Sequence, residues 1–155
     1  SGAAHFIVLE RLQDPGNLGT ILRAGEAAGI TGVIMDSQTA DIYNPKVIRS
    51  TMGAVFRVPF VYVEDLKAAL LQLKDHGVHL YAAHLKGQNS YDQEDYTEST
   101  GFLIGNEAQG LSDEIASLAD TYVKIPMAGS VESLNAAIAS SVLMFEVARQ
   151  RRNQK

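Results

Sequence analysis

Ile125-Pro126-Met127-Ala128-Gly129-Ser130-Val131-Glu132-Ser133-Leu134-Asn135 runs from an apolar strand, through a proline and a glycine, into a helix. Ser133 reads as the N-cap, with Leu134 and Asn135 in the first turn. The helix continues through Ala136-Ala137-Ile138-Ala139-Ser140-Ser141 to about Arg152, and its small side chains allow another backbone to pack closely. Tight internal packing accounts for the small residues. It does not account for two polar side chains, Ser133 and Asn135, directly after an Ile-Pro-Met strand end. In open parallel α/β sheets, ligands sit outside the carboxyl ends of the strands, and this junction lies at such an end.

Two further junctions share the design. Asp14-Pro15-Gly16-Asn17-Leu18-Gly19-Thr20-Ile21-Leu22-Arg23 follows the first apolar run. Pro15-Gly16 makes a turn, and Asn17 is placed to cap the helix. Gly19 and Arg23 are four apart and share a face, so a glycine beneath an arginine would leave room for a sugar or a backbone. Alone, the segment reads equally as a capped helix with a solvated arginine. Ile104-Gly105-Asn106-Glu107-Ala108-Gln109-Gly110-Leu111 ends another apolar run. Gly105 permits close backbone approach, and the Glu107 carboxylate would face the cleft, where it can hold a hydroxyl or an arginine. Alone, this is a plain turn before a helix.

Between these junctions the pattern alternates strand and helix. Strands are expected at 6–9, 32–36, 58–63, 79–85, 102–105 and 122–125. Helices are expected at 17–28, closed by Gly29; at 45–52, capped by Asn44; at 64–76; at 112–118, capped by Ser112; and from Ser133 onward. Residues 86–100 are polar and read as loop or short helix. Six strands alternating with helices give an α/β domain with a mainly parallel sheet. No glycine-rich dinucleotide loop follows the first strand, and there is no Walker loop.

The chain of 155 residues has the size of one domain. No run reaches the length of an apolar membrane span, and neither a membrane partner nor a signal peptide is expected. There is no cysteine, which fits a reducing cytoplasm. His5, His76, His79 and His84 lack metal-ligand spacing with carboxylates and are expected to be solvated or structural, with no metal site. The net charge of −5 is uneven: residues 1–63 carry five basic and five acidic groups, residues 64–155 eight and thirteen. Arg11, Arg23, Lys46, Arg49 and Arg57 could form a local basic face, which nucleic-acid binding needs. The tail Arg149, Arg151, Arg152 and Lys155 reads first as cations at a helix C-terminus.

Taken together and in order, the three junctions resemble the signature motifs of the SpoU (TrmH-like) RNA 2′-O-ribose methyltransferases of the SPOUT class. The resemblance covers residues 6–152, and Tyr43-Asn44-Pro45-Lys46-Val47-Ile48-Arg49-Ser50-Thr51-Met52-Gly53-Ala54 is similar to a segment found especially in rRNA-type members. It implies a flanked parallel sheet with a C-terminal deep trefoil knot, a homodimer, and S-adenosylmethionine as cofactor. It places cofactor binding at Gly105, Ile125 and Leu134, largely through backbone groups, with Ala83, Met127 and Ala137 as neighbours. Arg23 corresponds to the family's catalytic arginine, and Asn17, Glu107, Ser133 and Asn135 to its polar shell, with Glu107 and Asn17 orienting Arg23.

The implied substrate is RNA, rRNA ahead of tRNA. Residues 1–5 are expected to be a linker or remnant, and 6–155 the catalytic domain. The phenylalanines and tyrosines look scattered, with no aromatic–basic platform, so RNA capture is expected from a separate N-terminal domain absent here. The competing readings are a SPOUT base methyltransferase and a non-catalytic RNA- or ribosome-binding module. The Asn17/Arg23 pair with the Ser-Leu-Asn helix speaks against the first, and intact Arg23, Glu107 and Asn135 against the second.

Overall fold

A computed structural model of the chain describes residues 2–51, 53–84 and 87–154, the side chain of Phe56 apart. The strands are β1 (His5–Leu9), β2 (Gly32–Asp36), β3 (Phe60–Val63), β4 (His79–Ala83), β5 (Asn89–Ser90), β6 (Thr100–Ile104) and β7 (Thr121–Lys124). The helices are α1 (Pro15–Ala28), α2 (Pro45–Thr51), α3 (Leu66–Asp75), α4 (Asp113–Ala116) and α5 (Ala136–Arg152). Met52 and Leu85, the expected ends of the second helix and fourth strand, lie outside the described residues, as does Lys86.

All seven strands join one parallel sheet in the order β3-β2-β1-β6-β4-β7-β5. Among the described residues the sheet therefore has seven strands rather than the expected six. The addition, β5, is the pair Asn89–Ser90 laid against Val123 and Lys124 at the edge. Two polar residues carry no hydrophobic alternation, so no periodicity marks them.

Both faces of the sheet are covered, as parallel sheets require. Ile7, Leu9, Val33, Met35 and Phe102 pack with Leu18, Ile21 and Leu22 of α1, Val47 of α2, and Leu143, Met144 and Val147 of α5. The alternate residues Val8, Ile34, Leu80 and Leu103 pack with Leu66 and Leu70 of α3 and Ile115 of α4. The period of two along each strand thus sorts α1, α2 and α5 to one face and α3 and α4 to the other.

The first residues are part of this fold. β1 begins at His5, Thr100 donates its N–H to the Ala4 carbonyl at 2.9 Å, and Arg151 donates to the Ala3 and Ala4 carbonyls at 3.0 and 2.9 Å. The boundary expected at residue 6 therefore falls inside bonded structure. Arg151, read first as a helix-end cation, is spent on backbone carbonyls at the N-terminal edge.

Candidate active site

A cleft of about 700 Å³ opens at the carboxyl ends of β4, β6 and β7. Its floor includes Ala83, Gly105 and Ile125, each directly at or after the end of its strand. A Cβ on Gly105 would lie 2.3 Å from both Gly110 C and Leu111 N, so only glycine admits the loop that folds back there. That loop is closed by paired backbone bonds between Asn106 and Gly110, at 3.1 and 2.8 Å. The Asn106 Oδ1 accepts from Ala108 N and Gln109 N at 3.0 Å each, and Gly110 supplies the left-handed turn with φ 71°.

The opposite wall is Met127, Ser133 and Leu134. Ser133 does not cap the last helix. Asn135 does, its Oδ1 accepting from Ala137 N at 2.8 Å and Ile138 N at 3.2 Å. The helix starts two residues later than expected, which leaves Ser133 and Leu134 in the stretch that walls the cleft. Ala137, expected beside the cofactor, is instead buried in the core. Ala136 and Ala139, three apart and on one face, line the cleft.

Asp14, not Asn17, caps α1: its Oδ1 accepts from Gly16 N at 2.7 Å and Asn17 N at 3.1 Å. The Asn17 side chain is thereby released to bridge the other two junctions. It donates from Nδ2 to Glu107 Oε2 at 3.2 Å and accepts at Oδ1 from Asn135 Nδ2 at 3.1 Å. Glu107 also accepts from Gln13 N at 3.1 Å and Asp14 N at 2.8 Å. Burial works against its ionisation. The N–H groups of Asp14, Gln13 and Glu107 itself, with the Asn17 amide, outweigh that cost and hold the carboxyl below its usual range. The site therefore carries an ionised carboxylate at its rim, engaged by the loop before α1.

Arg23 stands apart from this network. It lies along α1 between Gly19, whose added Cβ would meet Ser50 Oγ at 1.8 Å, and Glu26, which pairs with Arg57 at 2.9 Å. The space over Gly19 is thus filled by α2 and is not open to a sugar. Arg23 itself is exposed, and among the described residues its side chain makes no hydrogen bond to Asn17 or Glu107. The expected orientation of Arg23 by those two residues is not what their bonds serve.

Of the expected site residues, Ala83, Gly105, Glu107, Ile125, Met127, Ser133 and Leu134 line the cleft. Asn17 and Asn135 are tied to it through Glu107, while Arg23 and Ala137 are outside it. Sequence reasoning passed over His84, Lys124, Glu132, Ala136 and Ala139, which also line it. His84 and Lys124 each directly follow or end a strand already identified, and that position was the available signal. Among the described residues no cluster of histidine or carboxylate groups could hold a metal ion.

The sequence profile of the SpoU rRNA Methylase family matches residues 4–145. A Staphylococcus aureus protein assigned to the TrmH family of tRNA/rRNA methyltransferases is 36% identical over 150 residues, 97% of this chain and 60% of its own length. The chain thus spans about 60% of the length of the curated relatives it matches. The SpoU methyltransferase AviRb from Streptomyces viridochromogenes, solved in complex with the cofactor AdoMet, superposes with a TM-score of 0.90 at 35% identity, covering 100% of this chain and 60% of that one. A solved RNA 2′-O ribose methyltransferase gives a TM-score of 0.88 at 32% identity, covering 98% and 58%. Two signature junctions lining one cleft with the third hydrogen-bonded to its rim, a profile match over nearly the whole chain and a shared fold place this chain in the SpoU rRNA methylase family.

Proposed function

We propose that this chain is the catalytic domain of an S-adenosylmethionine-dependent RNA methyltransferase acting on a ribose 2′-hydroxyl, with rRNA as substrate ahead of tRNA. The observation that carries it is the hydrogen-bonded run Asn135–Asn17–Glu107, which ties all three junctions together at the rim of one cleft. The relatives solved with AdoMet, and the relative whose reaction is 2′-O ribose methylation, support the same reading.

The residues suit the cofactor. Ala83, Ile125, Met127 and Leu134 give an apolar slot, and the loop closed over Gly105 brings backbone groups to its edge. When bound, the cofactor supplies a methyl group already activated on a sulfonium. The protein's task is to align the ribose oxygen and help its proton leave. Ser133, exposed at the cleft wall, positions the ribose or the methionine end. Arg23 stays protonated and holds the neighbouring phosphate, polarising the hydroxyl. Asn17 and Asn135 are positioning residues, because their polar groups are engaged in the network and the α5 cap. No metal takes part.

The fold carries further parts of this proposal. After β4 the chain goes to the far edge for β5, returns between β1 and β4 for β6, and goes out again between β4 and β5 for β7. Gly87 lies so close to β7 that a Cβ would meet Val123 C at 2.7 Å and Lys124 N at 2.9 Å. Such a crossing supports a C-terminal trefoil knot. Ile138 and Phe145, one heptad apart on α5, are 52% and 44% exposed, which supports a homodimer packed on that helix. Residues 1–155 act as the catalytic domain in the cytoplasm, and a further RNA-recognition domain supplies substrate capture in the full enzyme. Among the described residues no helix is long and apolar enough to cross a membrane.

The test is methyl transfer from labelled cofactor to total RNA, followed by alkaline hydrolysis. A 2′-O-methyl group blocks cleavage at its own position, so label in alkali-resistant dinucleotides is the expected result. Label confined to free mononucleotides would mean base methylation and overturn the reading.

A further inference from the structure

An exposed aromatic ring and two cations share one short segment, Tyr43 to Arg49, which folding backs with β3 and packs against α1. Tyr43 is 61% exposed, just ahead of α2. Its ring packs edge-on against Phe60 at 6.2 Å, and Phe60 packs edge-on against Tyr62 at 6.2 Å, so one side of Tyr43 is backed by β3 while much of the ring remains in solvent. The loop carrying it is built, not loose. Tyr62 Oη accepts from Ile42 N at 2.9 Å and donates to the Ala40 carbonyl, and Asp41 Oδ1 accepts from Tyr43 N at 2.9 Å.

Three and six residues along the chain from this ring, α2 carries two cations, and α1, packed on α2, carries a third. Lys46 and Arg49 are exposed and three apart on α2, opposite the buried Val47 and Thr51. Arg23 is exposed on the stripe of α1 that packs against α2. Among the described residues these three make no ion pair with a carboxylate. Residues 37–63 hold Lys46, Arg49 and Arg57 against the single acid Asp41, in a chain of net charge −5. Asp41 is engaged by Tyr43 N, and Arg57 by Glu26. The loop also joins the rim of the cleft: Ala40 N donates to the Leu12 carbonyl at 2.8 Å, and the next residue, Gln13, donates its N–H to Glu107.

We propose that Tyr43, Lys46 and Arg49, continued by Arg23, form a docking face for single-stranded RNA on this domain, with an unpaired base stacked on Tyr43 and the flanking phosphates on the cations. The face rests on the reading of the chain as an RNA methyltransferase. An exposed, backed aromatic ring beside unpaired cations is the combination that holds single strands, since every base presents a π-face and the backbone supplies the charge. A duplex keeps its bases stacked on each other and could use only the cations.

The test uses the chain as it stands, with fluorescence anisotropy of a labelled single-stranded uridine oligonucleotide and its annealed duplex. Tyr43→Ala should weaken single-strand binding by about 5- to 100-fold, as loss of one base–aromatic stack does, with an unchanged melting temperature. Tyr43→Phe should restore binding to within about twofold, since it keeps the stacking surface. The Lys46→Ala, Arg49→Ala double variant should lower the slope of log K against log salt by about 1.4, roughly 0.7 per lost phosphate contact. Wild-type binding that is absent, equal for duplex, or unaffected by Tyr43→Ala overturns the face, as does a Tyr43→Phe variant as weak as Tyr43→Ala. Sedimentation in which Tyr43→Ala separates two copies overturns it also, because the ring would then serve a protein interface. Methylation by the wild type is measured alongside. Cofactor binding is measured as well: activity with an indifferent Tyr43 defeats the face alone, whereas a chain that binds the oligonucleotide through Tyr43 yet neither binds S-adenosylmethionine nor modifies RNA defeats the enzymatic reading alone.

Discussion

Asn135 donates from Nδ2 to the Oδ1 of Asn17 at 3.1 Å, joining residues 118 positions apart, while its own Oδ1 caps α5. One side chain thus starts the last helix and holds the first junction in place. Asn135→Asp separates these duties. Aspartate caps as well as asparagine but has no donor for Asn17, and it would set two acceptors face to face. Asn135→Asp should melt close to the wild type yet lose about fivefold or more in transfer, the worth of roughly one hydrogen bond. Asn135→Ala should also lose about 1 kcal/mol of stability with the cap. Equal melting temperatures for Asn135→Asp and Asn135→Ala would mean that the cap contributes nothing.

Glu107 makes a pH-dependent prediction. Its folded carboxyl titrates below its usual range, because burial, which favours the neutral acid, is outweighed by the N–H groups of Asp14, Gln13 and Glu107 itself and the Asn17 amide. A depressed carboxylate stabilises the fold above its unfolded pKa, and that contribution is lost as pH falls through the lower folded value. Glu107→Gln should therefore melt below the wild type at pH 7, by on the order of 1 kcal/mol once solvent screening is allowed for. The difference should close as the pH is lowered from the ordinary carboxylate range toward the folded value. A gap that stays constant down to strong acid would show that the charge on Glu107 is not what the loop recognises.

Gly105→Ala tests the cleft floor. The added methyl would lie within 2.6 Å of three backbone atoms of Gly110 and Leu111, and backbone cannot swing aside as a side-chain tip can. The loop must move off the floor, so cofactor affinity should drop about tenfold or more, alongside a stability loss of about 1–3 kcal/mol from overpacking. Calorimetry with the cofactor and its demethylated product measures the first, thermal denaturation the second. Wild-type affinity in this variant would remove Gly105 from the binding surface.

The alternation of strand and helix was legible because long, periodic apolar segments report burial directly. The helix caps were less so. Asp14 and Asn17, like Ser133 and Asn135, are all good capping residues, and which of each pair caps depends on what the other must reach across the fold. Asn17 is freed for Glu107 and Asn135 only because Asp14 takes the cap. Gly19 was read as room beneath Arg23, yet it is where α2 seats Ser50. A glycine signals close approach but not the identity of what approaches. The edge strand Asn89–Ser90 comes from long-range packing and has no local pattern to betray it, while Tyr43, Lys46 and Arg49 are neighbours in sequence whose ring is fixed only by the distant Phe60.

Arg23 is the residue on which chemistry and cofactor binding should separate most cleanly. It is exposed on α1, between the Gly19–Ser50 contact and the Glu26–Arg57 pair, and it does not line the cleft. Arg23→Ala should leave cofactor affinity within a few-fold while methyl transfer falls by about a hundredfold or more, the scale of losing a group that assists proton removal and aligns the reacting oxygen. Arg23→Lys keeps the charge but not the planar fork that grips a phosphate in two places, so it should recover only part of the activity. Isothermal titration with the cofactor, paired with single-turnover transfer at saturating RNA, distinguishes these effects. If cofactor affinity and transfer collapse together in Arg23→Ala, the arginine belongs to the cofactor site, and the phosphate-holding role assigned to it is wrong. If lysine restores full activity, charge alone is sufficient at that position.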